Sequence, residues 1–163
     1  MRIRWYEDVE HRPIVYLDES GFAVDAPRTH GYSLRGERCY DQYDWHAKGR
    51  LNAIGAMTGF TLLTVQLWAC NIDSDVFLTW VQSALLPSVP MLSVIVLDGA
   101  PFHKRMDIIE GIEAEGHTVE FLPSYSPDLN PIEKKWAQAK AVRRQRRCTP
   151  SELFSRASDY AVL

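Results

Sequence analysis

LSVIVLDGAPFHK, Leu92–Lys104, holds the run that decides the fold. From Leu92 to Asp98 it is apolar almost throughout and rich in β-branched residues. A strand with one wet face alternates in polarity. This one reads as a strand covered on both faces, the kind found inside parallel sheets flanked by helices. It stops on Asp98-Gly99, and HKRMDIIEGIEAEG then predicts a polar-sided helix.

Toward the N-terminus, SDVFLTWVQSALLP predicts a helix with Ser74 as N-cap. Val76, Phe77, Trp80, Val81, Ala84 and Leu85 share one face, and Pro87 ends it. LNAIGAM and FTLLTVQLWA flank Thr58-Gly59 and read as a hairpin. IVYLDES, Ile14–Ser20, predicts a buried strand ending near Asp18. Gly21 to Arg50 reads as a long loop with room for one short strand; its Tyr43 and Trp45 either anchor it or are left to meet a ligand.

Toward the C-terminus, HTVEFLP predicts a short strand, and a helix runs from Pro131 to about Arg147. Thr149-Pro150-Ser151-Glu152 opens a last helix, with Pro at N1 and Glu at N3. Trp68, Trp80 and Trp136 are core by pattern. Strands separated by helices imply right-handed parallel crossovers. The expected fold is α/β: a mixed sheet of an antiparallel hairpin plus parallel strands, flanked by helices. Residues 13–148 form the main domain, 1–12 a linker or remnant, and 149–163 a C-terminal helix.

Net charge is −3 over 163 residues, so the whole chain is not a basic nucleic-acid binder. The charge is uneven, however. Lys134 to Arg147 holds seven Lys or Arg and no acid, and local charge decides what a surface attracts. Cys39, Cys70 and Cys148 are odd in number and far apart. That is neither a disulfide framework nor a zinc site, and a reducing, intracellular setting is expected. No apolar run approaches the ~20 residues that span a bilayer, and the charged start has no signal-peptide core.

Three acids occupy related places. Asp18 and Asp98 end strands, and Glu133 begins a helix. Ligand sites in open α/β sheets gather beyond strand carboxyl ends. Three carboxylates converging without a Lys or Arg would repel one another, but would suit hard divalent cations. Each also has a plainer reading. Asp18 can cap a turn, and Asp98-Gly99 is a common turn dipeptide. Asn130-Pro131-Ile132-Glu133 fits N-cap to N3, so Glu133 can close a capping box.

YLDESGF, VIVLDGAPFHK and LPSYSPDLNPIEKKW, in that order, resemble the catalytic domain of DDE transposases of the mariner superfamily. The nearest likeness is to the bacterial insertion-sequence branch (the IS 630 type), and HGYSLRGER resembles that branch too. The likeness runs from about Ile14 to Lys140. The 34 residues between Asp98 and Glu133 are a spacing typical of the superfamily. One departure is Gly99, where these families usually carry Asn.

The resemblance implies an RNase H-like fold, with Asp18, Asp98 and Glu133 as a catalytic, metal-binding triad. It implies two Mg2+ ions, with Mn2+ as a substitute. It implies cleavage and strand transfer of double-stranded DNA at mobile-element ends, at TA targets, in the bacterial cytoplasm among the nucleoid. A homodimer is compatible and no membrane is involved. Family members carry helix-turn-helix modules ahead of this domain. Only about a dozen residues precede the first strand here, so that part is expected to be missing. Lys134, Lys140, Arg143 and Arg144 are expected to follow the phosphate backbone outward from Glu133; a solvated basic helix end is the other reading. His103 and Lys104 either contact substrate or simply start a helix. The competing functions are a stand-alone RNase H-like nuclease and a non-catalytic DNA-binding remnant.

Overall fold

The computed structural model describes residues 2–24, 33–38, 49–123 and 126–155. Cys39, Tyr43, Trp45, most of the predicted loop and the end of the predicted C-terminal helix lie outside the described residues. Helix α1 (Arg2–Asp8) precedes strand β1 (Ile14–Ala23). Strands β2 (Arg50–Thr58) and β3 (Thr61–Trp68) form the hairpin about Gly59, whose φ of 55° suits glycine. Helix α2 (Ser74–Trp80) runs on through a π-helical turn, Val81–Leu85, into a last turn, α3 (Leu86–Ser88). Then follow β4 (Val94–Leu97), α4 (Met106–Ala114), β5 (Thr118–Phe121), α5 (Ile132–Arg146) and α6 (Pro150–Phe154).

The sheet order is β3-β2-β1-β4-β5. β1 pairs antiparallel with β2, and β2 with β3. β4 pairs parallel with β1 on one side and β5 on the other. This is the mixed sheet expected from sequence, with the apolar strand inside it. All four residues of β4 are fully buried, each contributing about 1.5–3 kcal/mol. On one face Val15, Leu17, Ile54, Ile95 and Leu97 pack against Phe77, Trp80, Ile108 and Ile112. On the other, Phe22, Ala53 and Met57 pack against Ile132, Trp136, Ala139 and Phe154. Residues 2–8, where the sequence offered no element, form α1, and its Ile3 and Tyr6 cover Ile14, Val94 and Val96.

Three local expectations are corrected. β1 does not stop at Asp18: it continues to Ala23, because β2 pairs with it from Val15 to Ala23. The cap of α2 is Asp73, not Ser74; its Oδ1 accepts from the amides of Asp75 and Val76. A 3-10 turn, Pro101–Lys104, replaces the first part of the helix predicted after Asp98. By contrast, α6 has the expected capping box between Thr149 and Glu152.

Candidate active site

The parallel pairing of β1 with β4 ends at Tyr16 opposite Val96. Asp18 and Asp98 each lie two residues beyond that pair, so adjacent strands deliver them to one end of the sheet. α5 returns over the same end and brings Glu133 in its first turn. All three residues line a single cleft of about 390 Å3, with Gly99, Ala100, Pro127 and Asn130 among its other walls and, among the described residues, no Lys, Arg or His. Among the described residues, no three acidic, histidine or cysteine side chains approach closely enough to enclose an ion.

The capping reading of Glu133 fails on geometry. A capping box needs its carboxylate on the Asn130 amide, but that N–H donates to Pro127 O, and α5 has no side-chain cap. Asn130 does something else. Its Nδ2 donates to Leu17 O, which turns Oδ1 the other way, buried and unpartnered among the described residues.

Asp18 is buried, and Trp136 Nε1 donates to its Oδ2 at 3.1 Å. Burial, then the nearby carboxylates of Glu133 and Glu19, push its pKa up to about 7. Gly55 makes the Trp136 contact possible. It pairs directly with Asp18 across the strands, and a Cβ there would lie 2.6 Å from Trp136 Cη2. Asp98 sits on the other side of the charge balance. Its Oδ1 accepts from the Ala100 amide at 3.0 Å and from His103 Nδ1 at 2.6 Å. The His103 bond is the main cause holding its pKa below the usual carboxylate range.

His103 is corrected as a DNA contact. It is 1% exposed, and its Nε2 lies 2.8 Å from Glu19 Oε1. Burial works to lower its pKa, but hydrogen bonds to Asp98 and Glu19 more than reverse this and raise it to about 9. Arg143 is corrected too. It is buried, donating through Nε to Cys148 O and through Nη2 to Val24 O, so its charge is turned inward. Lys134 and Lys104 are exposed; Lys104 Nζ lies 5.9 Å from the Phe121 ring centre. Lys140 and Arg144 are partly exposed, with Lys140 Nζ 5.5 Å from the centre of Phe22.

Sequence reasoning missed Glu19, Gly55, Asn130 and the Trp136 contact. The signals were faint: an Asp-Glu pair on a strand, a glycine inside a strand pattern, and a histidine five residues past an aspartate.

The donor set fits hard divalent cations. It is all oxygen, no basic side chain lines the cleft among the described residues, and burial makes the Asp18 anion costly, a cost that a cation would relieve. Among the described residues no helix is long and apolar enough to cross a membrane. Cys70 and Cys148 are free thiols.

Similarity to known proteins agrees with the fold. No curated protein matches the sequence at a significant level. Among solved structures, the Mos1 transposase paired-end complex with left transposon end has a TM-score of 0.66 at 15% identity, covering 86% of this chain and 45% of that one. The mariner Mos1 paired end complex with Mg gives 0.64 at 16% identity, over 98% of this chain and 53% of that one. The catalytic domain of Mos1 mariner transposase gives 0.61 at 15% identity, over 98% and 79%. At such identities the likeness shows the fold alone, which is RNase H-like. The chain spans about half the length of the full Mos1 transposase chains it matches. A family model described as DDE superfamily endonuclease covers residues 13–153 and all three carboxylates, and the chain belongs to that family.

Proposed function

We propose that this chain is the catalytic domain of a DNA transposase, of the bacterial insertion-sequence branch of the mariner superfamily (the IS 630 type). It cleaves one DNA strand at a mobile-element end and joins the freed 3′-hydroxyl to target DNA. The observation that carries the reading is three carboxylates, Asp18, Asp98 and Glu133, on one cleft that no cationic side chain lines among the described residues. They would hold two Mg2+ ions, with Mn2+ as a substitute. When bound, such ions act as Lewis acids that activate the attacking oxygen and stabilise the leaving one.

The chain's own residues supply position and charge. Asp98 offers Oδ2 to the cleft, since Oδ1 is already taken twice. Trp136 orients Asp18 through Oδ2. The helix that carries Trp136 also carries Glu133 one turn earlier, so a single rigid element sets two of the three ligands. Lys104, Lys134, Lys140 and Arg144 attract the phosphate backbone. The mobile-element end and TA target, synapsis by a homodimer, and a place in the bacterial cytoplasm with the nucleoid belong to the same reading. The Mos1 complexes with transposon ends support duplex DNA as the partner.

The test is Mg2+-dependent cleavage and strand transfer on duplexes ending in the element's inverted repeats. Wild type produces both products. Glu133→Gln loses both by orders of magnitude while its fold stability changes by at most about 1 kcal/mol, the scale of a helix-end charge. Nicking of any duplex without strand transfer would assign a stand-alone nuclease instead.

A further inference from the structure

We propose that Glu19 and His103 are a positioning pair that decides which oxygen of Asp98 faces the cleft; this rests on the reading that Asp18, Asp98 and Glu133 hold the cations. Side chains alternate across a strand. Asp18 therefore points to the α5 face, where Trp136 meets it, while Glu19 points to the face covered by α2 and α4. His103 comes from that second face. It reaches Asp98 with Nδ1 at 2.6 Å and Glu19 with Nε2 at 2.8 Å. The two bonds leave from opposite edges of the ring and fix its rotation. Phe77 and Phe102 fix its plane, with ring centres 4.5 and 4.2 Å away.

Asp98 needs such a device. Its side chain is 49% exposed, in a loop just past the end of β4. The next residue, Gly99, has no side chain to support it. With Oδ1 engaged by His103 and by the Ala100 amide, the carboxylate cannot rotate, and Oδ2 takes no hydrogen bond among the described residues. A ligand with one oxygen held by the protein and one left open binds a cation through that single oxygen. Glu19 never touches the cleft that holds the three carboxylates. It reaches Asp98 through His103, as partners of metal ligands commonly do, and its charge also bears on Asp18.

The experiment measures Mn2+ binding to the full chain by electron paramagnetic resonance of the free ion, for wild type, Glu19→Ala, Glu19→Gln and Asp98→Asn. Circular dichroism melting is run alongside. Glu19→Ala is expected to bind Mn2+ about 10-fold or more weakly, with a melting temperature close to wild type. Glu19→Gln keeps an acceptor oxygen for His103 Nε2 and is expected to recover most of the affinity. Wild-type affinity in Glu19→Ala overturns the proposal, whether or not its melting temperature falls. So does a Glu19→Gln variant as weak as Glu19→Ala. If wild type and Asp98→Asn bind Mn2+ alike, the cation reading itself fails and takes this proposal with it, an outcome distinct from the other two.

Discussion

Gly55→Ala tests how the sheet and α5 together hold Asp18. By backbone preference alone, Ala in a strand should stabilise by about 0.5–1 kcal/mol. Packing predicts the opposite sign. A Cβ at position 55 would lie 2.6 Å from Trp136 Cη2 and 2.9 Å from Cζ2. Carbon atoms settle at about 3.5–4.0 Å, so the indole must withdraw by about 1 Å. It has nowhere to go. Trp136 is 1% exposed and edge-on to Phe22 and Phe154. Overpacking of this kind costs about 1–3 kcal/mol. A shift of that size also takes the 3.1 Å bond to Asp18 beyond hydrogen-bonding range. The net expectation is a loss of about 1–3 kcal/mol in urea unfolding, or roughly 2–12 °C in Tm for a chain of this size. A Trp136→Phe background removes the two colliding carbons. There Gly55→Ala should cost little or stabilise, giving a coupling of about 1 kcal/mol or more. A Gly55→Ala variant as stable as wild type, or equally costly in both backgrounds, would overturn this picture of the Asp18 support.

Arg143→Met leaves the carbonyls of Cys148 and Val24 without their donor. It should cost about 1–3 kcal/mol in urea unfolding while leaving DNA affinity unchanged in fluorescence anisotropy. Lys140→Glu with Arg144→Glu should behave the other way. Affinity falls for all duplexes alike, and the slope of log affinity against log salt becomes shallower by about 0.9 for each phosphate no longer neutralised. His117 is buried and its Nδ1 accepts from the Ser93 amide. Burial holds its pKa below the usual value, against an opposing pull from Glu115 and with a smaller push from Arg12. The unfolded chain therefore binds the proton more readily, so this contribution is full above about pH 6.5 and is lost as pH falls through the depressed folded value. Urea midpoints against pH check it: wild type should lose stability relative to His117→Asn on acidification, since Asn keeps an acceptor and does not titrate.

The architecture was legible because one inner strand has no polar face. Val94–Leu97 can only lie between two layers, and that one inference orders the strands and helices around it. The three acids were legible as a set from their places at strand and helix ends. Three things were not. The length of β1 beyond Asp18 depends on pairing with β2, which no local pattern encodes. The capping box open to Glu133 has the same residue pattern as the one that forms at Glu152; at Asn130 the amide is taken by Pro127 O and the side chain by Leu17 O. Arg143 belongs by composition to a basic run, yet its azimuth on α5 continues the stripe of Ile132, Trp136 and Ala139, and it is buried with them. Seven cations in fourteen residues concealed that one of them faces inward.

Everything proposed for the cleft depends on Asp18, Asp98 and Glu133 holding divalent cations for DNA cleavage. Anomalous diffraction at the manganese edge, from crystals of the chain with Mn2+ and an element-end duplex, is the sharpest test. Anomalous density is expected in the cleft, within coordinating distance of Asp18, Asp98 Oδ2 and Glu133, and is expected to vanish in Asp98→Asn. DNA seated in the cleft with no anomalous density there, or density bound to other residues, would show that these carboxylates are not the metal site.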